Sequence, residues 1–184
     1  ALHVRDELLP YQLPGDGRDF FANAGRARHH GIETALRWER APAWELALAY
    51  TFARHRLRDH TAPDGTALGT VDRPGLPRHT GWAQLRWQPS GGRFAALEVT
   101  ALGPRSADDA ATARAAGHVR VGARAGRRLT LAGGGTLELY AGADNLLNQS
   151  WTGNVRVNAA GARYFEPGPG RGVYAGAVWT PGGP

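Results

Sequence analysis

Trp44-Glu45-Leu46-Ala47-Leu48-Ala49-Tyr50-Thr51-Phe52 alternates without a break between bulky apolar residues and small or polar ones. Side chains on a strand point to opposite faces in turn, so Trp44, Leu46, Leu48, Tyr50 and Phe52 share one face and Glu45, Ala47, Ala49 and Thr51 the other. One face is greasy with aromatic ends, and the other suits water. From Trp44 to Phe52, steps of about 3.3 Å at a tilt near 45° cover roughly 19 Å of height. That is the order of the apolar band, about 25 Å tall, of a barrel that crosses a membrane with strands.

The same split recurs along the chain. Ile32, Thr34, Leu36 and Trp38 stand against Glu33, Ala35 and Arg37, and Ala83, Leu85 and Trp87 against Gln84 and Arg86. Ala95, Leu97, Val99 and Ala101 oppose Glu98 and Thr100, while Val119, Val121, Ala123 and Ala125 oppose His118, Arg120 and Arg124. Leu137, Leu139, Ala141 and Ala143 oppose Glu138 and Tyr140, and Val173, Ala175, Ala177 and Trp179 oppose Tyr174. With a weaker run over Leu2–Leu9 the pattern predicts eight strands. The links alternate in length: short at 39–43, 88–93 and 132–135, long around 10–22 and at 57–78, 103–116 and 148–164. Tight turns at one end and long loops at the other are the asymmetry of outer-membrane barrels, and Trp38, Trp44, Trp87 and Trp179 lie by the short-turn end, where an aromatic girdle meets the interface. A soluble barrel or sandwich with its greasy face inward shares the period but has no reason to keep its long loops at one end. Arg127 alone breaks the pattern by falling on the apolar face; either a bulge near Gly126 turns it inward or it snorkels.

Composition narrows the classes. Gly supplies 26 and Pro 12 of 184 residues, which fits many strands joined by turns. All 22 basic residues are Arg, scattered rather than clustered, so the net charge of +6 does not point to nucleic acid. Cysteine is absent, which excludes disulfides, thiolate metal sites and a cysteine nucleophile. No run approaches the roughly 18 apolar residues of a membrane helix, which leaves a strand-built membrane protein open. Ser90 and Ser106 lack a Gly-x-Ser-x-Gly elbow and the acids form no dyad with an orienting partner, so no catalytic residue, enzyme activity or cofactor is assigned. The chain starts at Ala1 without an initiator Met or signal peptide, which reads as a processed product or an excised piece.

Four blocks carry a family resemblance. They are Asn23 to Glu33, with Gly31-Ile32-Glu33 at a strand start; Leu76-Pro77-Arg78-His79; Leu137 to Asn148, with Gly142-Ala143-Asp144-Asn145-Leu146; and Arg163 to Arg171 followed by the last alternating strand, Val173 to Trp179. In this order and spacing they resemble the C-terminal barrel portion of TonB-dependent outer-membrane receptors of the siderophore type. The resemblance implies an all-β, antiparallel up-and-down transmembrane barrel, with residues 1–184 supplying about eight strands of a 22-stranded whole. It further implies that the plug domain and TonB box are absent here. Implied partners are outer-membrane lipid, a ferric chelate or similar small ligand, the barrel-assembly machinery, and the TonB complex only through the missing N-terminal region; the implied location is the bacterial outer membrane. Residues 180–184 run past the aromatic at which the family usually stops. The competing reading is a self-contained eight-stranded outer-membrane barrel with a structural or adhesion role, and a third is a lipocalin-like binder, which the charged interior opposes.

Candidate ligand-binding residues on the lumen or loops are His29, His55, Arg86 and Arg120, the arginines as anchors for an anionic chelate. His29, His30, His55 and His60 are the candidate metal ligands of the first half, but histidines on an upper barrel wall are usually solvated and no metal site is assigned. Register gives the structural pairs. If Trp38 pairs with Trp44, Arg37 faces Glu45, and His29 faces Ala53 diagonal to His55. If Leu131 pairs with Leu137, Arg124 faces Asp144 and Arg128 faces Tyr140, all luminal.

Overall fold

The computed structural model describes residues 1–184 except 14, 17, 24, 41, 42, 63 and 184. Its first strands are β1 (Leu2–Arg5), β2 (Leu8–Gln12), β3 (Asp19–Asn23), β4 (Arg26–Arg40), β5 (Trp44–Thr61), β6 (Ala67–Asp72), β7 (His79–Trp87) and β8 (Arg93–Leu102). There follow β9 (Arg105–Ser106), β10 (Arg114–Ala115), β11 (His118–Thr130), β12 (Thr136–Asp144), β13 (Thr152–Val155), β14 (Phe165–Pro167) and β15 (Gly172–Thr180). Eight of these form one antiparallel path, β1-β4-β5-β7-β8-β11-β12-β15, with β6 paired to the upper part of β5. β1 and β15 are the two ends of that path, so the wall is an open arc of barrel and not a closed one. Three two-stranded sheets, β2-β3, β9-β10 and β13-β14, belong to the long connections.

The alternation read from sequence holds through the ladders. Trp38 pairs with Leu46, Leu46 with Leu85, Leu85 with Leu97, Leu97 with Ala123, and Ala123 with Ala143, so the greasy side chains line up on one continuous outer face. Ile32, Leu36, Trp38, Trp44, Leu48, Leu85, Leu97, Leu139, Val173 and Trp179 on that face are all exposed. An apolar surface of this extent is stable only against lipid or a partner. The inner face carries Glu33, Arg37, Glu45, Gln84, Arg86, Glu98, Arg124 and Glu138. Aromatic rings on the inner face lie over glycines of the adjacent strand: a Cβ at Gly142 would overlap Tyr174, one at Gly176 would overlap Tyr140, and one at Gly126 would overlap Phe94. Glycine there admits a ring flat against the wall, the arrangement that protects a bare strand backbone.

Both hairpin registers differ from expectation by two residues. Arg40 pairs with Trp44 and Trp38 with Leu46, and Leu129, not Leu131, pairs with Leu137. In the second hairpin Leu131 and Gly135 are joined by a hydrogen bond, and Gly133 and Gly134 both adopt positive φ. Two residues free to enter the left-handed region let the chain reverse in a tighter turn than the five-residue link assumed. Residues 41 and 42 of the 39–43 turn, and residue 184 of the tail, lie outside the described residues. A shift of two preserves faces, so the inside–outside assignment stands while the partners change. No bulge interrupts β11, whose pairs with β8 and β12 run continuously through Gly126, so Arg127 stays on the outer face.

The expected strand over Leu2–Leu9 is two strands. Asp6 takes a left-handed φ of 57°, and the amides of Asp6 and Glu7 both donate to the carbonyl of Gly25, which ends β1 and sends β2 away to pair with β3. The segments read as long loops also contain structure: β5 continues to Thr61, beyond Phe52, and turns back as β6. Polar sequences such as Arg54-His55-Arg56 show no amphipathic alternation because neither face there meets lipid.

Candidate ligand site at the upper inner wall

Where β4 and β5 rise above the membrane-level aromatics, the inner face collects titratable groups. The observed register sets His29 directly opposite His55, with their Nδ1 atoms 2.7 Å apart. His29 Nε2 donates to Glu7 Oε2 at 3.0 Å, and Arg73 Nη1 donates to Glu7 Oε1 at 3.1 Å. With the Nε2 proton committed to Glu7, a neutral His29 has a lone pair on Nδ1, and the short contact requires His55 to donate from its own Nδ1. The Nε2 of His55 is then an acceptor. Burial, followed by the neighbouring His29 and Arg73 charges, holds the His55 imidazolium acid below the ordinary value.

His55 borders a cavity of about 220 Å³ whose wall includes Asp72, Arg73, Arg78, Arg105 and Arg114. Asp72 is matched by Arg78, with Arg54 and Arg56 each at 3.7 Å; burial pushes the carboxyl's pKa up, but these cations outweigh burial and keep it below its usual range. Arg105 is 6% exposed, donates Nη2 to the Thr152 carbonyl at 3.2 Å, and has no partner for Nη1. Burial disfavours its charge. A guanidinium buried with an orphan donor is costly unless an anion or water meets it. Beside Thr152, Trp151 packs against His118 with the rings tilted at 42° and centroids 4.8 Å apart, and lies under the Arg120 guanidinium at 4.3 Å. The result is an inner rim of arginines with one aromatic platform, chemistry suited to an anionic ligand with flat, oxygen-rich groups.

The loops above are tied by side chains. Asn158 donates Nδ2 to the Pro10 carbonyl at 3.2 Å and to Asp109 Oδ1 at 3.1 Å, and its Oδ1 accepts from the Asp109 amide at 3.0 Å. Asp109 Oδ2 accepts from His60 Nε2 at 2.8 Å, with both side chains buried. Asp108 holds its own loop by accepting from the Thr112 amide, the Thr112 hydroxyl and the Ala113 amide. Asn145, of the quoted Asp144-Asn145-Leu146 block, is buried at positive φ, donating to the Gln149 carbonyl and accepting from the Gln149 amide.

The four candidate ligand residues are therefore not one site. His29 and His55 meet at the upper wall, and Arg120 sits on the Trp151 platform. Arg86 lies near the short-turn end, 3.6 Å from Glu45 Oε2 and donating to Gln88 at 3.4 Å. Arg37 does reach Glu45, at 3.2 Å, but diagonally; it faces Ala47 and also binds Glu39 at 2.8 Å. Arg124 does not meet Asp144. The two-residue shift sets Arg124 opposite Gly142, and its Nη2 donates to Glu138 Oε1 at 2.9 Å, while Arg128 takes Glu138 Oε2 at 2.9 Å. The Arg124 guanidinium also covers the Tyr140 ring at 3.9 Å. Asp144 sits instead beside Gly122. Among the described residues no cluster of three or more His, Asp or Glu side chains has metal-holding geometry. Sequence reading missed Arg105, Arg73 and Trp151, because loop residues carry no periodicity that fixes their facing.

The family model described as TonB dependent receptor-like, beta-barrel matches residues 2–146. The chain is similar to the ferric-catecholate import receptor Fiu from K12 E. coli at 16% identity, over 97% of this chain and 24% of that one, with a TM-score of 0.66. It is similar to the ferric yersiniabactin uptake receptor FyuA from Yersinia pestis at 18% identity, over 97% and 26%, with a TM-score of 0.68. For the copper transporter OprC the values are 22%, 97% and 26%, with a TM-score of 0.68. At these identities the likeness is one of fold, and the chain spans about a quarter of the length of those structures.

Proposed function

The chain belongs to the TonB-dependent receptor-like β-barrel family, and we propose that it is the C-terminal barrel segment of an outer-membrane transporter for a ferric siderophore or a similar anionic chelate. The observation that carries the substrate class is the cationic rim: Arg73, Arg105 and Arg114 around one cavity, and Arg120 on Trp151 beside it. Such a field raises the local concentration of anions, and a partnerless buried donor on Arg105 gives them a point of attachment. On this reading the plug domain and TonB box come from sequence beyond this segment. Coupling to the TonB complex goes through them, and insertion into the bacterial outer membrane uses the barrel-assembly machinery. The self-contained eight-stranded barrel would need β1 to pair with β15, whereas these strands end the path on opposite sides.

The test uses the full-length receptor in cells, with uptake of iron-55 supplied as catecholate, carboxylate and hydroxamate chelates. Arg105→Gln combined with Arg120→Gln should lower uptake of an anionic chelate about tenfold, at unchanged receptor level in the outer membrane. Uptake of every chelate unchanged in this variant would remove the substrate assignment. Correct folding in the outer membrane without any upstream plug-encoding sequence in the gene would remove the receptor assignment.

A further inference from the structure

Near the short-turn end of the outer face the described side chains include a pair of charges that lipid tails do not accommodate. Arg127 pairs directly with Arg93, and both are exposed. Two like charges opposite each other on a sheet repel. At membrane level the wall's ion pairs, Arg37 with Glu39 and Glu45, Arg86 with Glu45, and Arg124 and Arg128 with Glu138, use inner-face carboxylates, and those of Arg54 and Arg56 with Asp72 lie higher, on β5 and β6. Among the described residues, Arg93 and Arg127 enter none of them. The alternation puts no Asp or Glu on the outer face between Ile32 and Trp38, Trp44 and Phe52, Gly81 and Trp87, Arg93 and Ala101, Val119 and Leu129, Leu137 and Ala143, or Val173 and Trp179. Over these spans the described residues supply no counter-charge on the side where the two guanidiniums point.

Their height identifies what does. Arg93 is the first residue of β8, next to the short turn that joins it to β7, and short turns mark the periplasmic side. On the same face Trp87 pairs with Ala95, one step up from Arg93, and packs against Trp44 with ring centroids 6.3 Å apart. Indoles of this kind sit at the headgroup level. Leu139 lies level with the pair, directly opposite Arg127, and above it the face is apolar through Ala95, Ala125 and Leu97, a surface for acyl chains. We propose that Arg93 and Arg127 form a binding site for the headgroup phosphate of an anionic phospholipid in the periplasmic leaflet. A lipid phosphate offers the paired oxygens that two guanidiniums bind, and its tails cover the adjoining wall.

This inference rests on the reading of the sheet as a membrane wall, and the experiment separates the two. The full-length receptor, reconstituted in nanodiscs of mixed phosphatidylglycerol and phosphatidylcholine, is released into detergent and its retained lipids are counted by native mass spectrometry. The wild type should retain phosphatidylglycerol over phosphatidylcholine by roughly fivefold per arginine. Arg93→Gln with Arg127→Gln should abolish the preference, and Arg93→Lys with Arg127→Lys should keep most of it, with heat-modifiable migration on gels verifying that each variant is folded. Inorganic phosphate at millimolar concentration should not displace the lipid. Equal retention of both lipids by the wild type, an undiminished preference in the folded Gln variant, or full displacement by inorganic phosphate would each overturn the site. Quenching of the girdle tryptophans by brominated acyl chains tests the membrane wall separately: it persists if only the headgroup site is wrong, and is absent if the wall reading is wrong.

Discussion

Between Trp44 and Phe52 strand β5 is held on both sides by unbroken ladders, Trp44 to Trp87 and Phe52 to His79 on one flank and Arg40 to Ile32 on the other. Above Ala53 the arrangement differs: β6 pairs with β5 through register shifts, and the β2-β3, β9-β10 and β13-β14 pieces are tied to the wall by a few polar side chains. In the wall each residue's position is fixed by its neighbours on two strands, so one lost contact is shared among many. In the upper loops the side chains of Asn158 and Asp109 join three segments that otherwise share only a few bonds, such as Asn158 amide to Ala107 carbonyl and Gln12 amide to Asn158 carbonyl, so one lost side chain removes a large share of the ties. Segments of the second kind belong to the low-stability end from which binding loops are drawn.

The largest contrast should come from breaking the clasp. Asn158→Ala removes bonds to the Pro10 carbonyl and Asp109 and leaves buried Asp109 with only His60. Unmet buried groups cost about 1–3 kcal/mol each, so the local loss should be about 3 kcal/mol. Limited proteolysis should cut the 103–116 and 148–164 connections at least tenfold faster, while heat-modifiable migration stays as in the wild type. If the wall's migration changed as well, the two regions would be one cooperative unit and the comparison would fail.

What was readable in the sequence follows the same division. The wall was legible because one face meets lipid and the other water, and period two is the physical consequence; Leu97, Ala123 and Ala143 fall on the outward face by alternation alone. Register was less legible. It depends on turn geometry, and the double positive φ of Gly133 and Gly134 cannot be told from one slack glycine by composition. For that reason Arg124 lies on the face that alternation predicts but meets Glu138 instead of Asp144. The cationic rim was scarcely legible at all: Arg105 and Trp151 are 46 positions apart in sequence, 151 minus 105, and meet through a carbonyl at Thr152. Only the face of His29 and His55, inherited from the wall's alternation, projected upward into it.

Overpacking the wall should come next in size. Gly142→Ala would set a methyl into the Tyr174 ring, and Gly176→Ala into Tyr140. Each should cost about 1–3 kcal/mol, read as a lower midpoint in urea unfolding from detergent micelles, with proteolysis of the upper loops unchanged under native conditions. Equal midpoints would mean that these rings stand off the wall.

A smaller pair of effects sharpens the register. Glu138→Ala strands Arg124 and Arg128, and because both arginines are substantially exposed the loss is discounted to about 1 kcal/mol. Asp144→Ala should fall within about 0.5 kcal/mol, as for residues outside such networks. A larger loss for Asp144 than for Glu138 would restore the two-residue slip that the hairpin turn excludes.

Acid should produce the smallest change, confined to the upper wall. The contact between His29 and His55 needs one donor and one acceptor nitrogen; with His55 donating from Nδ1, its second proton goes to Nε2, where burial and the neighbouring charges oppose it. Burial, with the His29 and Arg73 charges behind it, holds His55 neutral in the folded protein below the ordinary imidazole value near 6.5. The unfolded chain then binds more protons than the folded one in the window just beneath that value, and the sign of the linkage makes stability rise with pH there. The pair's contribution is complete at pH 7.5, begins to fall as pH drops through about 6.5, and continues falling until His55 titrates in the fold. Amide exchange of Arg28–His30 and Arg54–Arg56 should accelerate between pH 7 and pH 5 after correction for intrinsic rates, while exchange in Leu46–Tyr50 keeps its wild-type protection. His55→Gln, which has no titratable ring, should flatten that dependence; an unaltered pH profile in this variant would locate the acid sensitivity elsewhere.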